Sequence, residues 1–320
     1  MTIISDTVQP EGGRYCGSSM QKLGTRFDKL ATGAIQRPKA PVTSVFGESD
    51  VGADRAAYQT ELSNGAGPLF MHFMASIPCI QEEMARIGCA TAEWALERQA
   101  ETGRPLQFFE MDAFDGTQAR TLANLAGAAI RTLTCSPNPA NEEYFKRLAQ
   151  PEISQYAQCS LFDVLAPAAG FEDGFDLIYE TAALQFYGPE RTRQLAHVAS
   201  HLASDGVAIF LEKMNHDDPM EYQRRETAKD MNFKTRYFSI EEIEWKTRNF
   251  LHDMVRGQVT LQQFATAAQN HFAHTRVIWH STNFYEVAAS NDLVALETFC
   301  GRLGPMAIES DFVFDQADAF

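Results

Sequence analysis

Basic residues are scarce in this chain of 320: 27 Lys and Arg stand against 42 Asp and Glu, a formal charge of -15. With no Lys/Arg cluster in the sequence to offset that repulsion, binding to nucleic-acid phosphates is not expected. Cysteine is also sparse. Cys16, Cys79, Cys89, Cys135, Cys159 and Cys300 show no Cys-x-x-Cys spacing and sit mostly among apolar residues, which suits free buried thiols in a reducing cytoplasm. His197 and His201 form a His-x-x-x-His pair without the acidic neighbour of a zinc protease, so no metal is expected. No apolar run approaches the ~18 residues of a membrane span, and the first residues carry no basic-then-apolar signal. A cytoplasmic protein with neither a membrane nor a nucleic-acid partner is the expectation. The 45% hydrophobic content is enough for a full core.

Against these absences stands the stretch from Leu106 to Thr117, Leu-Gln-Phe-Phe-Glu-Met-Asp-Ala-Phe-Asp-Gly-Thr. Leu106, Phe108 and Phe109 suit a strand buried on both faces, and residues 117–126 then switch to helical spacing through Ala119, Leu122, Ala123, Leu125 and Ala126. The turn between them lies at the carboxyl end of a strand, where open α/β sheets bind ligands. A nicotinamide or flavin fingerprint would need Gly-x-Gly-x-x-Gly there, and the turn offers only Gly116. Residues 128–135, 154–162 and 207–212 read as further strands, with helices over 141–149 and 190–203. Pro137 and Pro139 bar helix until past the turn that follows the second strand. Residues 275–281 and 283–289 are joined almost without a loop, which requires an antiparallel pair.

Glu110, followed at alternate positions by Asp112, Phe114 and Gly116, resembles the first motif of class I S-adenosylmethionine (SAM)-dependent methyltransferases, an acidic residue followed by alternate glycines, two of them replaced here. Residues 171–186, with the entry Phe175-Asp-Leu177, look very like that family's fourth strand and are the most specific match, and the closing antiparallel pair extends the resemblance over 105–292. The resemblance implies an α/β, Rossmann-like class I methyltransferase sheet, mostly parallel with an antiparallel last strand, and SAM as cofactor. It places Glu110, Asp112, Phe114 and Gly116 in the cofactor loop. Thr134 stands where the family has an acidic residue for the ribose, so ribose contacts fall to Thr134, Ser136 or Asn138, uncharged groups that bond a diol less strongly than a carboxylate does. Ser160, Leu161 and Phe162 fall beside the adenine. Tyr179 and Glu180 are expected to follow the fourth strand, near the methionine end, Tyr179 to hold the sulfonium by its ring face or bond the amino acid group, Glu180 to accept the ammonium or a substrate proton.

Residues 1–45 are rich in Gly, Ser, Thr and Pro, with an extended linker at 37–41. Helical runs at 54–62 and 78–100 flank the hinge Asn64-Gly-Ala-Gly67, and an insertion over 215–259 carries the capping box Ser239-Ile-Glu-Glu242. The expected organisation is an N-terminal flexible segment and helical lid over 1–104, a SAM-binding core over 105–292 with a helical lid at 215–259, and a tail over 293–320. Phe312 and Phe314 give that tail something to bury, on a homodimer partner or on its own subunit. Lids over strand ends exclude water and suit a small-molecule substrate. His72, in Phe70-Met-His-Phe-Met74, is the candidate base, whereas Tyr187, His216, Trp245 and His280 read as structural. The expected reaction is methyl transfer to a small molecule in a biosynthetic, secondary-metabolic setting. A second reading follows from the altered loop: SAM held folded would cyclise to azetidine-2-carboxylate and methylthioadenosine, as in the methyltransferase-fold azetidine-2-carboxylate synthases. A third is a non-catalytic SAM-fold binding module.

Overall fold

The computed structural model describes residues 19–315. Seven strands, β1 (Leu106–Met111), β2 (Ile130–Cys135), β3 (Ser154–Ala157), β4 (Phe175–Thr181), β5 (Leu202–Lys213), β6 (His274–Ser281) and β7 (Phe284–Ser290), form one sheet in the order β3-β2-β1-β4-β5-β7-β6. The first five are mutually parallel, and β7 runs antiparallel between β5 and β6. The mostly parallel sheet with an antiparallel last strand expected from the sequence is the one the chain forms.

Helices precede, connect and follow the strands: α1 (Ser19–Ala31), α2 (Glu48–Val51), α3 (Ala53–Gly65), α4 (Pro68–Met74), α5 (Ile80–Thr102), α6 (Thr117–Ala126), α7 (Pro139–Leu148) and α8 (Arg191–Ala199). After β5 come α9 (Pro219–Ala228), α10 (Ile240–Lys246), α11 (His252–Val255) and α12 (Leu261–Ala268), and α13 (Leu293–Leu303) follows β7. Side chains alternate across the central strands, so both faces must be covered. Phe108, Leu177, Tyr179 and Ile209 pack under α3, α5, α6 and α13; Phe109, Ile178, Ala208 and Phe210 pack under α8 and α12. No helix among the described residues is long and apolar enough to cross a membrane.

Three differences from the sequence reading bear on the site. The segment before residue 45, expected to be flexible with an extended linker at 37–41, contains a helix: Leu23, Leu30 and Ala31 recur at helical spacing, and α1 buries them against Leu69 and Phe250. Residues 1–18, including Cys16, lie outside the described residues, as do 316–320. The third strand stops at Ala157, because Ser160 caps a tight 3-10 turn at Leu161–Asp163 through its hydroxyl bond to Asp163 at 2.9 Å. The fourth strand occupies Phe175–Thr181 alone, so Tyr179 and Glu180 are inside it rather than beyond it.

The insertion after β5 is helical. Ser239 and Glu242 form the capping box reciprocally, at 3.2 and 2.8 Å, and π-helical turns at Lys229–Phe233 and Thr247–Leu251 interrupt the helices. The tail as far as Asp315 folds back on its own subunit. Phe312 is wholly buried in the core, its carbonyl accepts from the Thr282 N–H at 2.9 Å, and Asp315 takes a two-pronged bond from Arg225 at 2.8 Å.

Candidate active site

Strand order reverses between β1 and β4, and a cavity of about 670 Å³ opens beyond the carboxyl ends of the strands around that switch point. Its floor comes from the loop after β1 (Asp112, Phe114), the turn after β2 (Ser136, Asn138) and the segment from Thr181 to Tyr187 after β4. Its roof comes from α1, α4 and the insertion, through Phe27, His72, Phe73, Lys246 and Phe250.

The loop after β1 keeps the backbone of a glycine loop without its glycines. Asp112, Phe114 and Gly116 have φ of +46°, +47° and +68°, the left-handed region that costs an ordinary L-residue about 1–2 kcal/mol and glycine almost nothing. Contacts offset that strain. The Asp112 carboxylate accepts from the Leu161 N–H at 3.0 Å and from the Tyr187 hydroxyl. Phe114 packs its ring on Phe70 and Phe73, with centroids 5.8 and 4.7 Å away. At Gly116 no such exchange is open, because a Cβ there would stand 2.8 Å from the Phe145 ring and 2.9 Å from the Thr134 hydroxyl. Burial pushes the Asp112 carboxyl up to about 7, although the bonds from Tyr187 and Leu161 oppose this.

Glu110 lies beneath the loop, outside the cavity lining. It accepts from the Ala119 N–H at 3.0 Å in the first turns of α6, and burial pushes its carboxyl up to about 8. A folded-state value above the unfolded one means protons are held more tightly by the native state, so this group stabilises below its ordinary range near 4.5 and the gain is lost as pH rises towards 8. Glu110→Gln keeps an acceptor for Ala119 and removes that dependence. Its stability relative to the parent should improve between pH 5 and 8 by at most about 1.4 kcal/mol per pH unit, read from urea unfolding; parallel profiles would refute the shift.

Among the other expected contacts, Ser136, Asn138 and Ser160 line the cavity, but Thr134, Leu161 and Phe162 do not. The Ser136 hydroxyl accepts from the Asn141 side chain at 3.0 Å. Asn138 caps α7 through its carbonyl oxygen, at 3.0 Å from the Ala140 N–H, and its buried Nδ2 has no partner among the described residues. The Thr134 hydroxyl is likewise buried and unpartnered, facing Gly116 rather than the cavity. Leu161 contributes its N–H to Asp112. Phe162 packs edge-on to Tyr187 at 5.0 Å.

Tyr179 and Glu180 do not reach the cavity. Both precede the strand end, and alternation sends one to each face of the sheet. Tyr179 donates to Glu286 at 2.5 Å in the core beneath α5, where burial and Glu286 hold its phenol well above the usual range. Glu180 accepts from the Ala183 and Leu184 N–H groups at 2.5 and 3.1 Å, fastening the turn after β4, and burial with the nearby Glu212 raises its carboxyl. The cavity lining around the end of β4 consists instead of Thr181, Ala182, Ala183, Gln185, Phe186 and Tyr187. Tyr179→Phe should therefore cost about 1–3 kcal/mol of stability by stranding Glu286 and leave ligand affinity at the cavity unchanged; calorimetry and urea unfolding on one sample check both.

His72 is in the cavity wall, but its ring is engaged. Nδ1 donates to the Gln36 carbonyl at 3.1 Å, which leaves Nε2 to accept from Lys246 at 2.6 Å. Burial and Lys246 hold the imidazole well below its ordinary range.

Sheet order, the cavity at its switch point and three left-handed residues after β1 belong together. The chain has a class I methyltransferase fold. No protein-family model matches the sequence and no curated protein matches it. Solved structures of similar chain path include the plantazolicin methyltransferase BpumL in complex with a monoazolic desmethylPZN analog and SAH, at 8% identity and TM-score 0.47, covering 85% of this chain and 99% of that one. The citrinin polyketide synthase CMeT domain aligns at 12% identity and TM-score 0.44 over 89% of this chain and 66% of that one. The cyclopropane synthase MmaA2 from Mycobacterium tuberculosis aligns at 8% and 0.42, over 85% and 79%. Likenesses of this degree decide neither substrate nor reaction.

The sequence reading missed the lysines. Lys213, Lys229, Lys234 and Lys246 all line the cavity, although they are scattered over β5 and the insertion. One signal was there: Glu226, Lys229, Asp230 and Lys234 recur at helical i, i+3 and i+4 spacing, which puts them on one face.

Proposed function

We propose that the cavity binds SAM and that the protein transfers the methyl group to a small molecule. The observation that carries this reading is the loop after β1, which takes the glycine-favouring left-handed backbone at all three positions where the resembled motif has glycine, while Asp112 and Phe114 wall the cavity. The donor set fits an adenosyl ligand. The cavity volume lies in the range of small-molecule sites, and the unpartnered Asn138 Nδ2 and the Ser136 hydroxyl offer bonds for ribose hydroxyls. Phe27, Phe73, Phe114, Phe186 and Phe250 line the same space, and aromatic rings suit a sulfonium.

When bound, SAM supplies a methyl group on a sulfonium, which needs only an in-line nucleophile. The chain's part is to orient and to shield the reacting groups: α1, α4 and the insertion close over the strand ends, and aromatic side chains line part of the space beneath them. His72 is the candidate proton acceptor for a protonated nucleophile, once Lys246 is drawn off Nε2. Tyr179 and Glu180 are left with packing and turn-fastening roles.

The aromatic enclosure and the side chains that replace two glycines favour a second reading, cyclisation of SAM. Its amino nitrogen, having lost a proton, would bond to its own γ-carbon as the carbon–sulfur bond breaks and the electron pair returns to sulfur, giving azetidine-2-carboxylate and methylthioadenosine. The products separate the two. Methyl transfer yields S-adenosylhomocysteine (SAH) and requires an acceptor; cyclisation yields methylthioadenosine from SAM alone. Chromatography and mass spectrometry of the nucleosides after incubation with SAM, with and without candidate small molecules, test the assignment. Turnover to methylthioadenosine without acceptor would overturn methyl transfer.

A further inference from the structure

The wall formed by β5 and the insertion gathers four ammonium groups around two carboxylates. Lys213 and Lys229 share Glu226 Oε2, each at 2.6 Å, and the other Glu226 oxygen is taken by Asn283 at 3.0 Å. Lys234 pairs with Asp230 at 2.7 Å, and Lys229 stands 3.5 Å from the same oxygen. Lys246 meets no carboxylate among the described residues; it donates to His72 and to the Ser76 hydroxyl, at 2.6 and 2.9 Å. Lys213, Lys229 and Lys234 are at most 2% exposed, and all four line the cavity.

Burying an ammonium without an opposite charge costs several kcal/mol, so the excess must be relieved by loss of protons or by an anion. We propose that this wall is an anion site holding a carboxylate of the substrate, so that the SAM-dependent reaction acts on a carboxylate-bearing small molecule. The inference rests on the SAM reading above. In methyl transfer the carboxylate belongs to the acceptor; in cyclisation it is that of SAM itself.

Proton balance supports the site. Burial and Lys229, against the pull of Asp230 and Glu226, bring Lys234 down to about 8; burial and Lys229, against the pull of Glu226, bring Lys213 down to about 7; burial and Lys234 hold Lys246 well below its ordinary range. Burial opposes the charge on Lys229, but Glu226 and Asp230 outweigh it and keep that ammonium protonated. The groups facing these lysines are Glu226, Asp230, Tyr222 and His72. An entering carboxylate would recharge the depressed lysines, and drawing Lys246 towards it would free His72 Nε2.

The test is calorimetry on the full chain at pH 8, with SAH, with methylthioadenosine (which lacks a carboxylate) and with succinate added to the methylthioadenosine-saturated protein. Succinate is expected to bind with net proton uptake, read from two buffers of different ionisation enthalpy. Lys234→Met and Lys246→Met should each weaken succinate about tenfold or more while methylthioadenosine binds as before. If the same variants also weaken SAH, the cofactor's own carboxylate occupies the site, the anion site stands and cyclisation gains; if SAH is unaffected, the carboxylate is the acceptor's. Absence of succinate binding to the parent protein, a measurement that depends on no variant, would overturn the proposal, as would tighter binding of inorganic phosphate than of succinate. Succinate bound by a protein that takes neither nucleoside would leave the anion site in place and defeat the SAM reading.

Discussion

Replacing Asp112 with alanine is expected to weaken SAH binding roughly thirtyfold, about 2 kcal/mol, and to lower stability by a similar amount. Asp112 holds three segments of the cavity floor together: its own loop, the turn at Leu161 and the segment after β4 through Tyr187. Alanine leaves a buried N–H and a buried hydroxyl short of their acceptor, each costing about 1–3 kcal/mol. It also keeps a Cβ at φ +46°, so the left-handed strain is not relieved. Asp112→Gly separates the two effects. Glycine should recover about 1 kcal/mol of stability over alanine without recovering affinity, because the carboxylate is still missing. Titration calorimetry and urea unfolding of the three proteins read both quantities; unchanged affinity in the alanine variant would contradict the placement of this loop beside the ligand.

Gly116→Ala is expected to be still more damaging to the fold. The added methyl would meet the Phe145 ring at 2.8 Å and the Thr134 hydroxyl at 2.9 Å, at φ +68°. Phe145 is 4% exposed and Thr134 wholly buried, so neither has room to give way. Overpacking and strain together should cost about 2–4 kcal/mol and shift α6 against β2, with loss of SAH binding as the floor moves. A thermal midpoint within a degree or two of the parent would show that the loop yields more easily than its contacts imply.

Most of the sheet was legible in the sequence because its strands are buried on both faces and end at unmistakable turns, as Leu106 to Met111 does before Asp112. The antiparallel pair was legible because residues 275–281 and 283–289 leave no room for a crossover. The loop was legible in outline: replaced glycines at Asp112 and Phe114 did not hide a backbone that still turns left-handed there. What failed was the strand end. Two residues' uncertainty at the end of β4 sent Tyr179 and Glu180 to the cavity, whereas the side chains that line it begin at Thr181. Tyr187, read as structural, lines the cavity and bonds Asp112. No local pattern shows that pairing, which joins residues 75 positions apart. The lysine wall was hidden for the same reason, and because an overall charge of -15 says nothing about where the positive charges gather. Helix α1 was obscured by a segment rich in turn-forming residues, and its place is set by tertiary contacts with Leu69 and Phe250 rather than by propensity.

The most direct test of SAM binding is to mix the purified protein with SAM, separate protein from free ligand, and identify by mass spectrometry the nucleoside the protein retains. One equivalent of intact SAM per chain is the expected result. Retention of no nucleoside at all would contradict it.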